Sequence, residues 1–214
     1  MPPDLRLIAI VDPAILAGRD LVEAAREAVT GGATVIQLRM KAASAAECYR
    51  AASALVGAVS APVYVNDRAD VAWAAGAAGV HVGADDLPPA PLRSLTAAPF
   101  AIGVSVGSPK EAAAVGDAAV DYWSIGPVFR TSSKDDAGDA IGVAGWRALA
   151  ARAPSAMPVV AIGGIGASNA GEVIRAGGAG VAVIRAVFAS RDIRRAAQAI
   201  RDAVDAARHC PPAG

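Results

Sequence analysis

Eight short apolar runs rich in Val and Ile recur along the chain: Leu5 to Val11, Thr34 to Leu38, Val63 to Val65, Gly79 to Val82, Phe100 to Val104, Val120 to Ile125, Val159 to Ile162 and Gly180 to Ile184. Between them lie Ala-rich stretches with apolar residues at helical spacing, such as Leu21-Val22, Ala25 and Ala28-Val29, or Val173-Ile174 followed by Ala176-Gly177-Gly178. A continuous apolar run reads as a strand buried on both faces. Such strands run parallel and need a crossover to return, and the intervening helices supply it. The alternation predicts an α/β chain whose parallel sheet is covered by helices. Eight units favour closure into a single-domain (β/α)8 TIM barrel, with an open doubly wound sheet as the alternative.

The chain of 214 residues is short for eight units but ample for one core. We expect a barrel domain over 1–208 and a frayed C-terminal tail over 209–214. Hydrophobic residues make up 54% and aromatics only 4%, so the core must be built from Ala, Val, Ile and Leu. Trp73, Trp123, Trp146 and Tyr122 are read as core packing. Lys plus Arg and Asp plus Glu both total 20, which argues against a general polyanion partner such as nucleic acid. Any anion site must then be local. Cys48 and Cys210 fit neither a disulfide framework nor a zinc spacing and are read as free thiols in a reducing cytoplasm. The run Leu7 to Val11, stopped by Asp12-Pro13, is too short for a signal or membrane span, so a soluble, cytoplasmic protein without a membrane partner is expected. The sequence leaves open whether the chain assembles as a homo-oligomer.

In a barrel the working residues occupy the C-terminal strand ends and the loops after them. The second strand ends Gln37-Leu38-Arg39-Met40-Lys41, where alternation sends Gln37, Arg39 and Lys41 to one side. Cations inside a barrel ask for an anion, with a structural ion pair to nearby carboxylates as the alternative. Asn66-Asp67-Arg68 and His81-Val82-Gly83-Ala84-Asp85-Asp86 bring carboxylates to the mouth. Asp67 and Asp86 would suit Mg²⁺ completed by a diphosphate, while singly each also suits a turn or a helix entry. Gly126 to Gly138 forms a long loop of hydroxyls, Lys and Gly that resembles a phosphate-gripping lid. Ile162-Gly163-Gly164-Ile165-Gly166 and Val183-Ile184-Arg185, each placed directly before a helix, offer backbone N–H groups to a phosphate, though tight βα turns need Gly anyway. His81 is read as core or support to the site, and His209 as tail.

In order along nearly the whole chain stand Gln37-Leu38-Arg39-x-Lys41, Asn66-Asp67-Arg68, Gly79-Val80-His81-Val82-Gly83-x-x-Asp86, Gly103-Val104-Ser105, Gly126-Pro127-Val128-Phe129-x-Thr131-x-Ser133-Lys134 and Ile162-Gly163-Gly164-Ile165. This ordered set resembles the thiamine phosphate synthase (thiamine phosphate pyrophosphorylase) family. The resemblance implies a magnesium-dependent transferase of thiamine biosynthesis. It would join 4-amino-2-methyl-5-(diphosphomethyl)pyrimidine to a thiazole phosphate and release diphosphate. Gln37, Arg39, Lys41, Asn66 and Lys134 would hold the pyrimidine diphosphate. Asp67 and Asp86 would hold Mg²⁺, and Thr131, Ser133, Gly164, Ile184 and Arg185 the thiazole phosphate. Lys134, Ser105 and Arg39 would be catalytic, with Ser105 near the reacting methylene.

The family usually has Gln where Ala84 stands, often His where Gly107 stands and often Ser where Arg185 stands. Arg185 either adds a phosphate ligand or points outward. Two other functions fit parts of the pattern: a thiazole tautomerase, which has no use for a diphosphate and metal site, and a non-catalytic paralogue binding thiamine precursors.

Overall fold

The computed structural model describes residues 3–96, 99–116, 118–131 and 138–209. The strands are β1 (Leu7–Val11), β2 (Val35–Leu38), β3 (Val63–Asn66), β4 (Gly79–Val82), β5 (Ala101–Val106), β6 (Tyr122–Ile125), β7 (Val159–Ile162) and β8 (Gly180–Val183). Each pairs in parallel with its successor, and β8 pairs with β1, closing the barrel. The closed form, rather than the open sheet, is therefore adopted. All eight apolar runs became strands with ends shifted by no more than two residues.

The helices are α1 (Leu21–Thr30), α2 (Ala45–Ala58), α3 (Ala69–Ala74), α4 (Pro89–Leu95), α5 (Pro109–Val115), α6 (Gly142–Ala150), α7 (Ala170–Arg175), α8 (Arg185–Phe188) and α9 (Ile193–Arg208). Several starts are written in the sequence as side-chain caps. Asp20, Ser108 and Asp192 accept from the backbone N–H three residues on, and Ser44 with Glu47 forms a reciprocal capping box. In α9, Ile193, Ala197, Ile200, Val204 and Ala207 recur at helical spacing and bury one face.

Two apolar layers follow from strand alternation. The larger lies between strands and helices and contains Leu7, Ile36, Leu38, Trp123, Trp146 and Phe188. The smaller fills the lumen with Ile8, Ile10, Val35, Tyr64, Tyr122, Val160 and Ile184. Trp123 and Trp146 are core residues, as expected. Trp73 is not: it stands 71% exposed. The six-residue α3 buries only Val71 and Ala72, and the next residue along the helix turns away from the barrel. Cys48 is a buried free thiol in α2, and burial pushes its pKa up; Cys210 lies outside the described residues.

Candidate active site at the C-terminal mouth of the barrel

Alternation at the end of β2 holds for Gln37 and Arg39 but not for Lys41, which lies three residues beyond the strand's last residue, Leu38. Leu38 and Met40 join the outer layer, while Gln37 and Arg39 line a narrow cavity in the lumen. Gln37 is buried, and its Nε2 donates to Asn66 Oδ1 at 2.9 Å. Arg39 is ion-paired with Asp12, both side chains being largely buried. Asp12 also accepts from Ala14 N–H at 3.0 Å, so its position is fixed by the turn after β1. Arg39 Nε is buried with no hydrogen-bond partner among the described residues. The structural ion pair and the lumen cation are thus one arrangement: Asp12 orients a guanidinium whose donors are not all used. Asp12 was missed because Asp12-Pro13 reads as a stop. The signal was its place two residues beyond the lumen-facing pair Ile8 and Ile10.

Deeper in the lumen, His81 stands between Tyr122 and Ser105, its Nδ1 2.9 Å from Tyr122 Oη and its Nε2 3.0 Å from Ser105 Oγ. These residues belong to β4, β6 and β5, so His81 and Tyr122 meet across an intervening strand. The register explains it, because His81 and Tyr122 are both opposite Gly103. A Cβ on Gly103 would lie 2.1 Å from the Tyr122 ring. Glycine there is what lets the tyrosine occupy the lumen. Burial pushes the Tyr122 phenol well above its ordinary pKa.

A wider cleft of 720 Å³ opens above. It is lined by Thr131, Gly164, Ile184 and Arg185, the described residues expected around the thiazole phosphate, together with Ser105, expected near the reacting methylene. Arg185 therefore faces the cleft rather than standing apart from it. Ser133 and Lys134 lie outside the described residues. Ser105, Ser124, Ile162, Ala182 and Ile184 border both cavities, so the two spaces share one wall. Gly164 has φ +64°, and a Cβ there would meet Arg130 O at 2.5 Å. The position needs glycine for both its conformation and the approach of the neighbouring loop. Asn169, unremarked in the sequence, ties this turn down by accepting from Gly166 N–H at 2.9 Å and donating to Gly164 O at 3.0 Å. One expectation is corrected: the Gly163-Gly164 turn does not enter a helix directly, since α7 begins only at Ala170. Any phosphate held there meets a glycine turn, not a helix end.

Asp67, at the end of β3, has φ +65°. Its N–H donates to His81 O at 2.8 Å, and the next N–H, of Arg68, returns to Asn66 O at 2.8 Å. That is a tight three-residue turn of the rare strained hand. Asp86, after β4, accepts from Gly83 N–H at 2.7 Å. Asp86 therefore closes the turn after β4 with one of its carboxylate oxygens rather than capping the entry to α4, whose N-cap Pro88 has no side-chain cap. Both carboxylates sit on neighbouring strand ends but line neither cavity. Among the described residues no three His, Cys, Asp or Glu side chains converge as a metal-holding set. Two hard carboxylate donors fit a cation that takes its remaining oxygens from diphosphate and water, as Mg²⁺ does.

Lys41 is exposed and lines neither cavity. Arg68 is committed to Asp70 by bonds of 2.9 and 2.6 Å. Ala84 is exposed and borders neither space, whereas Gly107 lines the wide cleft and donates its N–H to Glu111 at 2.8 Å.

A closed eight-stranded barrel with two contiguous cavities of mixed polar and apolar lining at its C-terminal mouth defines the class: a (β/α)8 barrel with its candidate site at the strand ends, where enzymes of this architecture work. A family model described as thiamine monophosphate synthase matches residues 7–187. A protein named thiamine-phosphate synthase from Azorhizobium caulinodans is 41% identical over 97% of this chain and 98% of its own length. One of the same name from Methanoregula boonei is 46% identical over 95% of both chains. The solved thiamine phosphate pyrophosphorylase from Pyrococcus furiosus superposes with a TM-score of 0.84 at 38% identity, covering 95% of this chain and 97% of its own. The chain belongs to the thiamine monophosphate synthase family.

Proposed function

We propose that this chain transfers the aminopyrimidine methyl group from its diphosphate to the nitrogen of a thiazole phosphate, giving thiamine phosphate and diphosphate. The carrying observation is the 720 Å³ cleft at the strand-end mouth, whose floor at Ser105, Ser124, Ile162, Ala182 and Ile184 continues into the lumen beside Gln37, Arg39 and Asn66, since direct coupling needs both substrates in one space. In the narrow cavity, Gln37 and Asn66 bond to each other through one amide group apiece. This leaves the Gln37 carbonyl as acceptor and the Asn66 amide NH₂ as donor, the complement of an amino group beside a ring nitrogen. The wide cleft offers Arg185, the Thr131 hydroxyl and the turn at Gly164 to a phosphate.

The reaction moves an alkyl group, not a phosphoryl group. The thiazole nitrogen lone pair forms the new C–N bond while the C–O bond breaks, and its electrons leave with diphosphate. Negative charge therefore grows on the leaving group, and Arg39, held by Asp12, presents a fixed cation to it. Asp67 and Asp86 would hold Mg²⁺, which when bound supplies further charge stabilisation for the diphosphate. The ring nitrogen is already a nucleophile, so orientation rather than a strong base is what the protein must provide. Phosphorylated substrates enter by the strand-end mouth. No helix among the described residues is long and apolar enough to cross a membrane.

Incubation of the purified protein with both substrates and Mg²⁺ tests the proposal. We expect thiamine phosphate and diphosphate in equal amounts. Isomerisation of the thiazole phosphate without coupled product would replace the synthase reading by the tautomerase one.

A further inference from the structure

The coupling reading leaves two buried polar side chains of the lumen, Tyr122 and His81, without a task. They form one chain of hydrogen bonds with Ser105, of 2.9 and 3.0 Å, ending at the wall common to both cavities. The chain has a direction. Tyr122 is fully buried, stacked on Tyr64 with centroids 6.2 Å apart, and burial keeps its phenol protonated. Its hydrogen must find an acceptor, because a buried donor left unmade is costly. Among the described residues the acceptor within reach is His81 Nδ1. A ring that accepts at Nδ1 carries its proton at Nε2 and donates it to Ser105 Oγ. The Ser105 oxygen is then occupied as acceptor, and its own hydrogen is left to point elsewhere. The reverse direction would run from Ser105 to Nε2 and from Nδ1 to Tyr122, stranding the phenolic hydrogen in an apolar layer of Ile8, Val35 and Val160.

We propose that Tyr122 and His81 are positioning residues that fix Ser105 as a hydrogen-bond donor toward an acceptor atom of the bound pyrimidine diphosphate at the shared wall. The proposal rests on the coupling reading for its substrate, while the direction of the chain stands on the geometry alone. A donor already fixed there need not reorient when the leaving oxygen gains charge, which is where such a group contributes to rate. Gly103 belongs to the same device, since any side chain there would displace the tyrosine ring.

The test has two readouts. The chain contains two histidines, and His209 lies at the end of α9 bonded to Asp205 O. His209→Gln therefore leaves a single imidazole to follow by ¹⁵N NMR in the substrate-free protein. The expected state is Nε2–H with Nδ1 unprotonated. A ring protonated at Nδ1, or at both nitrogens, overturns the proposal whether or not the coupling reaction occurs. In turnover, Tyr122→Phe keeps the packed ring and is expected to lower kcat by about three- to tenfold, the worth of one hydrogen bond, with both KM values unchanged. In a Ser105→Ala background the same substitution is expected to have no further effect. Additive losses would mean that the tyrosine acts only through packing. Absence of product from the unaltered protein would count against the coupling reading and leave the NMR result to decide the chain's direction.

Discussion

Asp67 is a non-glycine residue held at φ +65° by bonds on either side of it, and that conformation costs free energy that the fold must supply. Asp and Asn tolerate it better than other side chains, so the choice of variant matters. Asp67→Ala would mix the loss of a metal ligand with backbone strain, whereas Asp67→Asn keeps the turn and weakens only the charge. We expect Asp67→Asn to raise the Mg²⁺ concentration for half-maximal turnover by at least about tenfold, the low end of what even supporting residues around a metal cost. Its thermal midpoint should stay within a few degrees of the parent. An unchanged Mg²⁺ requirement would remove Asp67 from the metal site. At this scale the sequence was legible where one strand's alternation decides the outcome, as for Gln37 and Arg39. It was opaque where a partner comes from another strand. Asp12 reads as a stop, and Tyr122 as ordinary core. The meeting of Tyr122 with His81 depends on a register through Gly103 that no local pattern announces.

Strands and capped helices were the legible elements, because an eight-fold repeat of apolar runs and N-cap residues are local signals. The capping box of α2 shows how such a signal behaves physically. Ser44 donates to Glu47 through its hydroxyl at 2.6 Å and its backbone N–H at 2.8 Å, and these bonds lower the Glu47 pKa. A carboxylate whose pKa is depressed by folding stabilises the fold above its unfolded value, and that contribution fades as pH falls through the folded one. Ser44→Ala is therefore expected to move the Glu47 pKa upward, toward that of an unperturbed glutamate, in an NMR titration. It should also lower stability at neutral pH by about 1 kcal/mol, the usual worth of an N-cap, and by less in acid. A Glu47 pKa unmoved by the substitution would show that the box is not formed in solution. The elements that misled were short ones. In the six residues of α3 the apolar pattern is too brief to say which face carries Trp73, and the glycine turn after β7 was joined too early to its helix.

Closure of eight strands sets the relation between the two cavities, because it brings β5 and β8 to opposite sides of one lumen and gives both spaces Ser105 and Ile184 as wall. The barrel itself was readable from the number of units and the ordered motifs. The contiguity of the two spaces was not, since it depends on how far side chains from all eight strands fill the lumen. The cleft above that lumen is where both substrates must be bound at once for a carbon to pass directly between them. The most direct measurement is a single turnover with pyrimidine diphosphate carrying ¹⁸O in the bridge between methylene and phosphorus, mixed with thiazole phosphate and Mg²⁺ and quenched in time. Thiamine phosphate and diphosphate are expected to appear together in equal amounts, with all of the label in the diphosphate. Label retained in a pyrimidine alcohol, or diphosphate released ahead of thiamine phosphate as free alcohol accumulates, would contradict direct transfer.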